Sequence, residues 1–402
     1  MRKGAWILLL IYVFTIPWEY SLDLGAPLGN IARIVGLLLL IVAIPAVLQA
    51  GKMRTWDALE WLALALFLWF ACTCFWTIDA PTAAAKMRGY AQEMMIVWFL
   101  WEFTSDQRDL RTILRMWLAG SWVLAALTIA NAGAMVADQV RFAAVGQDPN
   151  DVARFLDLGF PIAALLLDWE LGWRGKALAI GYFPLGIAAV LLTASRGGFL
   201  AALVAIIGCA AVLYRGHFRA ALLGCLALPI VATLLWFITP HETLGRLATI
   251  TDQLQGGDLN QRLNIWEAGW HAFVSAPFFG HGVGSFVDAA GLAPGDTAHN
   301  TALSILVETG ICGFALAFAI VAVSVPSVLQ MRGTLRTALT TLVSVWLVSS
   351  LVGTVFESRT TWLMFGVIAV AVRLTVHPIT HFLPKSASTD GLRDDAAVVQ
   401  AR

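Results

Sequence analysis

Long apolar segments follow one another along most of the chain, separated by short polar stretches. About twelve of these segments have the ~20-residue length that crosses ~30 Å of hydrocarbon as a helix. They lie near residues 5–22, 31–49, 57–76, 87–103, 111–131, 152–170, 176–194, 198–214, 218–239, 298–328, 336–354 and 361–376. The pattern therefore predicts an all-α polytopic membrane protein with about twelve transmembrane helices. The segment at 298–328 is long for one simple span, so we expect part of it to lie outside the hydrocarbon.

One long polar stretch, residues 240–297, separates the ninth predicted helix from the tenth. Within it, NQRLNIWEAGWHAFVSAP has the apolar spacing of an amphipathic helix. The apolar stripe consists of Leu263, Trp266, Trp270, Phe273 and Val274. We expect this helix to lie in the membrane interface, with Arg262 in its first turn at headgroup depth. The preceding HETLGRLATITDQLQGG predicts a second, weaker helix.

These patterns divide the chain into four parts. Residues 1–239 would carry transmembrane helices 1–9, residues 240–297 a helical loop, and residues 298–376 transmembrane helices 10–12. The polar, small-residue-rich tail 377–402 is predicted to be disordered.

Composition supports the membrane assignment. The chain is 59% hydrophobic and 13% charged, against about a quarter charged in soluble domains. Its formal net charge is zero, and we expect no nucleic-acid partner. The five cysteines all fall in apolar segments, which predicts neither a disulfide framework nor a thiolate metal site.

The distribution of Lys and Arg sets the orientation. Most of them lie on loops that would share the compartment of the N-terminus. The positive-inside rule then puts both termini in the cytoplasm and the 240–297 loop outside. The basic residues left on the outer side are Arg33, Lys86, Arg88, Arg141, Arg154, Arg196, Arg246, Arg262 and Arg359.

This outer basic minority has two interpretations. Arg196 in TASRGG and Arg359 in FESRTT occupy turns so short that each guanidinium must lie near the bilayer surface. A basic side chain there either extends to ordinary lipid headgroups or binds an anionic ligand. Several arginines together favour a polyanion, since the planar guanidinium donates paired hydrogen bonds to phosphate.

Metal ligation is not predicted on the outer side. The histidines there, His241, His271, His281 and His299, lack the spacing of zinc ligands, and no acidic cluster suits Mg²⁺. Asp148 and Asp151 in GQDPND are typical of caps around a Pro-Asn turn.

His299 stands at the start of a predicted helix beside Asn300 and is the candidate general base. Glu308 is out of phase with His299 on that helix and is expected to be a packing or helix-breaking group before Gly310. The glycines of GHGVGS indicate a tight turn.

Four segments carry a family resemblance. QRLNIWEAGWHAFVSAPFFGHGVGSF, followed by AHNTALSILVETGICG, resembles the signature of the O-antigen ligase and polymerase superfamily, and GQDPNDVA and TASRGGF are similar to further segments of that family. Asp151 departs from the apolar residue expected after the Asn. The resemblance implies a GT-C-like glycosyltransferase of the bacterial inner membrane, with a periplasmic loop between helices 9 and 10 and no cofactor.

The resemblance also implies a reaction. The donor would be an undecaprenyl diphosphate-linked O-antigen, and the acceptor a sugar hydroxyl of lipid A-core, both held among membrane lipids. His299 would remove the acceptor proton, and a direct displacement predicts inversion at the anomeric carbon. The donor diphosphate would lie on Arg196 and Arg262, with Lys86, Arg88 and Arg359 assisting, and Asn150 and Asn300 are candidate supporting residues.

Two other functions compete with this one. A polymerase of the same superfamily would use the same donor and a lipid-linked glycan as acceptor. A lipid or glycan transporter would show inverted repeats and matching broken helices in its two halves. The sequence has no such repeat.

Overall fold

The computed structural model describes residues 1–25, 29–133, 141–216, 245 and 261–376. Within these ranges the backbone is helical, with one isolated β-bridge between Asp23 and Asn30 and no strand. The helices are α1 (Arg2–Thr15, continued by a 3-10 segment Ile16–Ser21), α2 (Ile31–Ala50), α3 (Ala58–Thr73), α4 (Ala80–Phe103), α5 (Gln107–Gly133), α6 (Pro149–Trp169), α7 (Trp173–Leu192), α8 (Arg196–Gly216), α9 (Arg262–Ser275), α10 (Phe286–Ala289), α11 (Thr301–Gln330), α12 (Gly333–Val352) and α13 (Arg359–Thr375).

Seven of the described helices are long and apolar enough to cross a membrane: α1 with its extension, α2, α5, α7, α8, α11 and α12. The chain is therefore an all-helical, multi-pass membrane protein in its described part. The predicted helix at 218–239, the weaker helix before Gly256 and the tail 377–402 lie outside the described residues. The total of about twelve spans stays a prediction.

Two helices outside this group, α6 and α13, are surrounded by protein. α6 packs against α5, α7, α8 and α12, and α13 packs against α4. Burial is unbroken from Val152 to Leu166 in α6 and from Arg359 to Arg373 in α13. Polar side chains on such helices face other protein groups rather than lipid.

α11 is broken at Gly310, whose φ of 66° and ψ of −171° are not helical. A Cβ at this position would lie 2.2 Å from the carbonyl oxygen of Phe278, so the close approach of the preceding turn requires glycine. The segment after the break, residues 311–330, is about 30 Å long at 1.5 Å per residue, which matches the hydrocarbon thickness. The break explains why the predicted run at 298–328 exceeded one span.

The helix ends form two opposite faces. At one face Glu102, near the end of α4, pairs with Arg2 at 2.6 Å, and Arg373 donates to the carbonyl of Trp101 at 2.7 Å. The starts of α6, α8 and α11 lie at the other face. The first residues of the chain and the end of α13 therefore lie opposite to the start of α11.

This arrangement predicts the membrane topology. Reporter fusions after residues 50 and 332 should behave as cytoplasmic, because basic residues concentrate at that face. A fusion after residue 255 should behave as periplasmic. Paired alkaline phosphatase and green fluorescent protein fusions measure both outcomes, and a cytoplasmic signal at 255 would place His299 in the wrong compartment.

Candidate active site

Asn150 joins the beginnings of α6 and α8. Its Oδ1 accepts hydrogen bonds from Ser195 Oγ at 2.9 Å and Arg141 Nη2 at 2.7 Å. Ser195 Oγ also accepts from the backbone N–H of Gly198 at 3.2 Å. Ala194, just before, has a φ of 49°, which is uncommon for a residue other than glycine. These bonds fix the sharp turn that presents Arg196 at the start of α8.

α9 brings Arg262 close to the segment that carries His299. The indole Nε1 of Trp266, one turn after Arg262, donates to the carbonyl of Ala298 at 3.0 Å. Further along α9, a Cβ on Gly269 would lie 3.0 Å from Leu303 of α11. α9 and the first part of α11 therefore lie side by side, and both helices start at the same end.

The buried face of α9 differs from the predicted apolar stripe. Ile265, Gly269 and Ala272 are buried. Of the predicted stripe, Trp266 and Phe273 pack partly against this cluster, whereas Leu263, Trp270 and Val274 are 48%, 54% and 56% exposed. An exposed apolar face next to a membrane suits lipid contact, and the interfacial position of α9 stays a prediction.

His299 is held in an unusual conformation at the start of α11. Its φ is 46°, in the left-handed region that few residues other than glycine adopt. Asn300 Oδ1 accepts the backbone N–H of Leu303 at 3.0 Å and caps the helix. Thr301 Oγ1 donates to the carbonyl of Gly353 at 2.7 Å. The imidazole is partly buried, with Thr297 Oγ1 at 3.3 Å from each ring nitrogen.

Electrostatic interactions show which charges surround His299. Burial lowers the pKa of His299, and the positive charges of Arg262 and Arg154 lower it further, against the opposing effect of Asp148. Burial also lowers the pKa of Arg262; Asp148 opposes this and Arg196 adds to it. Arg262 thus interacts with Arg196 and with the imidazole, and the charges of Arg262 and Arg154 favour the neutral, proton-accepting form of His299.

The ends of four helices reinforce this positive field. α6, α8, α9 and α11 all begin at this site. The N-terminal end of a helix carries unpaired N–H groups and about half a positive charge, which attracts anions. We call the group His299, Arg154, Arg196 and Arg262 the arginine–histidine site.

Lys86 and Arg359, the predicted assistants of Arg262, are paired with carboxylates of the protein. Lys86 Nζ lies 2.7 Å from Glu308 Oε1 and 2.6 Å from Glu357 Oε1. Arg359 pairs with Glu19 and also donates to the side chain of Gln92. The third, Arg88, is exposed on α4. A role for these three side chains in diphosphate binding stays a prediction.

Glu308 links α11 to Lys86 and to the glycine turn of GHGVGS. Besides the ion pair with Lys86, its Oε2 accepts the backbone N–H of Gly284 at 3.0 Å. Its carbonyl accepts the N–H of Gly282 at 2.8 Å. The glycine turn of GHGVGS is thereby fixed to α11 just before the Gly310 break.

Arg154 is the member of the site that the sequence did not single out. It was one of several outer basic residues, and it lies inside an apolar segment where a structural ion pair is the ordinary expectation. The available signal was the spacing Asp151, Arg154, Asp157, which puts three charged groups on one helical stripe.

The two aspartates of GQDPND have different roles: one caps a helix and the other forms an ion pair. Asp148 Oδ1 accepts the N–H of Asn150 at 2.7 Å and caps α6, and Asp151 pairs with Arg154. Across the part of the chain that the structure describes, no three His, Cys, Asp or Glu side chains are grouped as metal ligands.

The field of the arginines predicts how His299 titrates. With ¹³C-labelled histidine, the NMR resonance that disappears in His299→Asn should titrate below the ordinary value near 6.5. In Arg262→Gln its pKa should rise, because one charge that opposes protonation is gone. A pKa at or above 6.5, or one that Arg262→Gln leaves unchanged, would contradict the electrostatic account.

A known protein family matches part of the chain. Residues 181–318, from within α7 to within α11, match the family model described as O-antigen ligase. Arg196, Arg262 and His299 all fall inside the matched range, whereas Arg154 precedes it. A search of the curated proteins found no match. The match covers about a third of the chain and supports membership of the O-antigen ligase and polymerase superfamily, with the O-antigen ligase domain at residues 181–318.

Proposed function

We propose that this protein is an O-antigen ligase. It would transfer an O-polysaccharide from undecaprenyl diphosphate to a sugar hydroxyl of lipid A-core, at the periplasmic side of a bacterial inner membrane. Superfamily membership supports an enzyme that acts on lipid-linked glycans. The identity of the donor, the identity of the acceptor and the periplasmic location go beyond the family match and are what we propose.

One observation supports the proposal: Arg262 interacts electrostatically with both Arg196 and His299, and each of these three residues lies at the beginning of a helix. Separate elements supply the three residues, since Arg196 starts α8, Arg262 starts α9 and His299 precedes α11. Electrostatic interactions couple Arg262 with Arg196 and with His299. A diphosphate suits such a site because it offers several charged oxygens to paired guanidinium donors.

The transfer requires a base for the acceptor hydroxyl and positive charges that stabilise the leaving diphosphate. The acceptor hydroxyl oxygen attacks the anomeric carbon, His299 takes the hydroxyl proton, and the bond from that carbon to the diphosphate breaks. The electron pair leaves with the diphosphate, whose growing charge Arg196 and Arg262 stabilise. The lowered pKa of His299 favours the neutral imidazole that this step requires. Displacement from one face predicts inversion at the anomeric carbon.

Binding and turnover should separate these roles. Arg262→Ala and Arg196→Ala should each bind undecaprenyl diphosphate-linked glycan about ten-fold or more weakly, since each loses charge-assisted hydrogen bonds worth roughly 1.5–3 kcal/mol. His299→Ala should bind the donor normally and turn over about 10²- to 10⁴-fold more slowly. Equilibrium binding in detergent and single-turnover transfer measure the two effects.

Arg262→Lys is the matched control for charge without the planar fork, and it should restore part of the affinity. If a folded His299→Ala variant loses donor affinity as fully as Arg262→Ala does, His299 is a phosphate ligand and the proposed base is wrong. Normal donor affinity in both arginine variants would reject the diphosphate site itself.

A further inference from the structure

Arg154 contacts the backbone to which the segment of the candidate base is bonded. A Cβ on Gly353 would lie 2.1 Å from Arg154 Nη1, so the guanidinium rests on the backbone of residue 353. The carbonyl of that residue accepts the hydroxyl of Thr301, two residues after His299. The charge of Arg154 acts on His299 together with that of Arg262.

The Arg154 guanidinium does not use all of its hydrogen-bond donors. Arg154 Nη2 pairs with Asp151, but its buried Nε has no hydrogen-bond partner among the described residues. Asp157, the next charged group along the stripe, is 0% exposed, and neither of its carboxylate oxygens has a hydrogen-bond partner there either. The buried Nε is out of reach of a ligand, so a further anionic group would bind the terminal Nη groups, one of which now pairs with Asp151.

Arg154 and Asp151 differ in how freely they can move. The Arg154 side chain is 10% exposed, whereas that of Asp151 is 43% exposed. The carboxylate can therefore rotate into water while the guanidinium stays in place. If the carboxylate turns away, the buried guanidinium is left without a counter-ion, which favours the binding of another anion in its place.

We propose that Arg154 binds the phosphate oxygens of the donor with Arg196 and Arg262, and that Asp151 occupies this position until the donor displaces it. The proposal rests on the diphosphate site of the proposed function and adds a third arginine and an internal competitor to it. Asp151 stands where the family resemblance led us to expect an apolar residue, so the competitor is a feature of this chain.

The two partners should respond in opposite directions. Asp151→Asn removes the competitor, so full-length protein in detergent should bind radiolabelled undecaprenyl diphosphate about two- to five-fold more tightly. Arg154→Lys loses the fork and should bind it about ten-fold or more weakly. Asp288→Asn, which removes an exposed outer carboxylate on α10, controls for the general change in charge and should leave binding unchanged.

Gly353→Ala tests the position of the guanidinium without removing its charge. The new methyl group would displace the flexible end of Arg154, so binding should weaken while the protein keeps its melting temperature within a few degrees. This variant keeps the proposal testable if Arg154→Lys fails to fold.

A purely structural ion pair gives a different result. It predicts that Asp151→Asn lowers stability with unchanged or weaker binding, and this outcome would overturn the proposal. Unchanged binding in Gly353→Ala would also overturn it. If Arg262→Ala weakens binding and the Arg154, Asp151 and Gly353 variants do not, only the proposed role of Arg154 is rejected. If Arg262→Ala binds the diphosphate normally, both the diphosphate site and the role of Arg154 are rejected.

Discussion

Repulsion among like charges is the constraint on which this site depends. Arg262 repels both Arg154 and Arg196, and Arg154 and Arg262 act on His299, where helix N-termini add to the positive field. Such an arrangement persists only if the surrounding structure holds it in place. The bonds of Asn150 hold the start of α8, Trp266 holds α9 to the segment before His299, and Thr301 holds α11 to residue 353.

The break at Gly310 separates two parts of α11. His299 lies just before the start of this helix, and the segment after Gly310 is long enough to cross a bilayer. Lys86 and Glu308 connect α4 with α11 just before the break. Glu308 also accepts the backbone N–H of Gly284, so it fixes the glycine turn that follows α9.

The positions of the long helices were predictable from the sequence, because membrane spans and helix starts are marked by residues that are close together along the chain. Apolar runs predicted the described long helices, and Asn300 marked the start of α11. The packing face of α9 was not predictable, since Ile265, Gly269 and Ala272 form a weaker pattern than the exposed aromatic stripe. Arg154 was missed because its significance comes from residue 353, nearly two hundred positions away, which no local pattern records.

Transfer by the purified full-length protein tests the central claim most directly. Undecaprenyl diphosphate-linked O-polysaccharide and rough lipopolysaccharide would be supplied in detergent with EDTA, and products separated by gel mobility. The account predicts a ladder of glycan attached to lipid A-core that is lost in His299→Ala. Glycan lengthening on the polyprenyl carrier without transfer to lipid A-core, or activity that returns only when Mg²⁺ is restored, would contradict it.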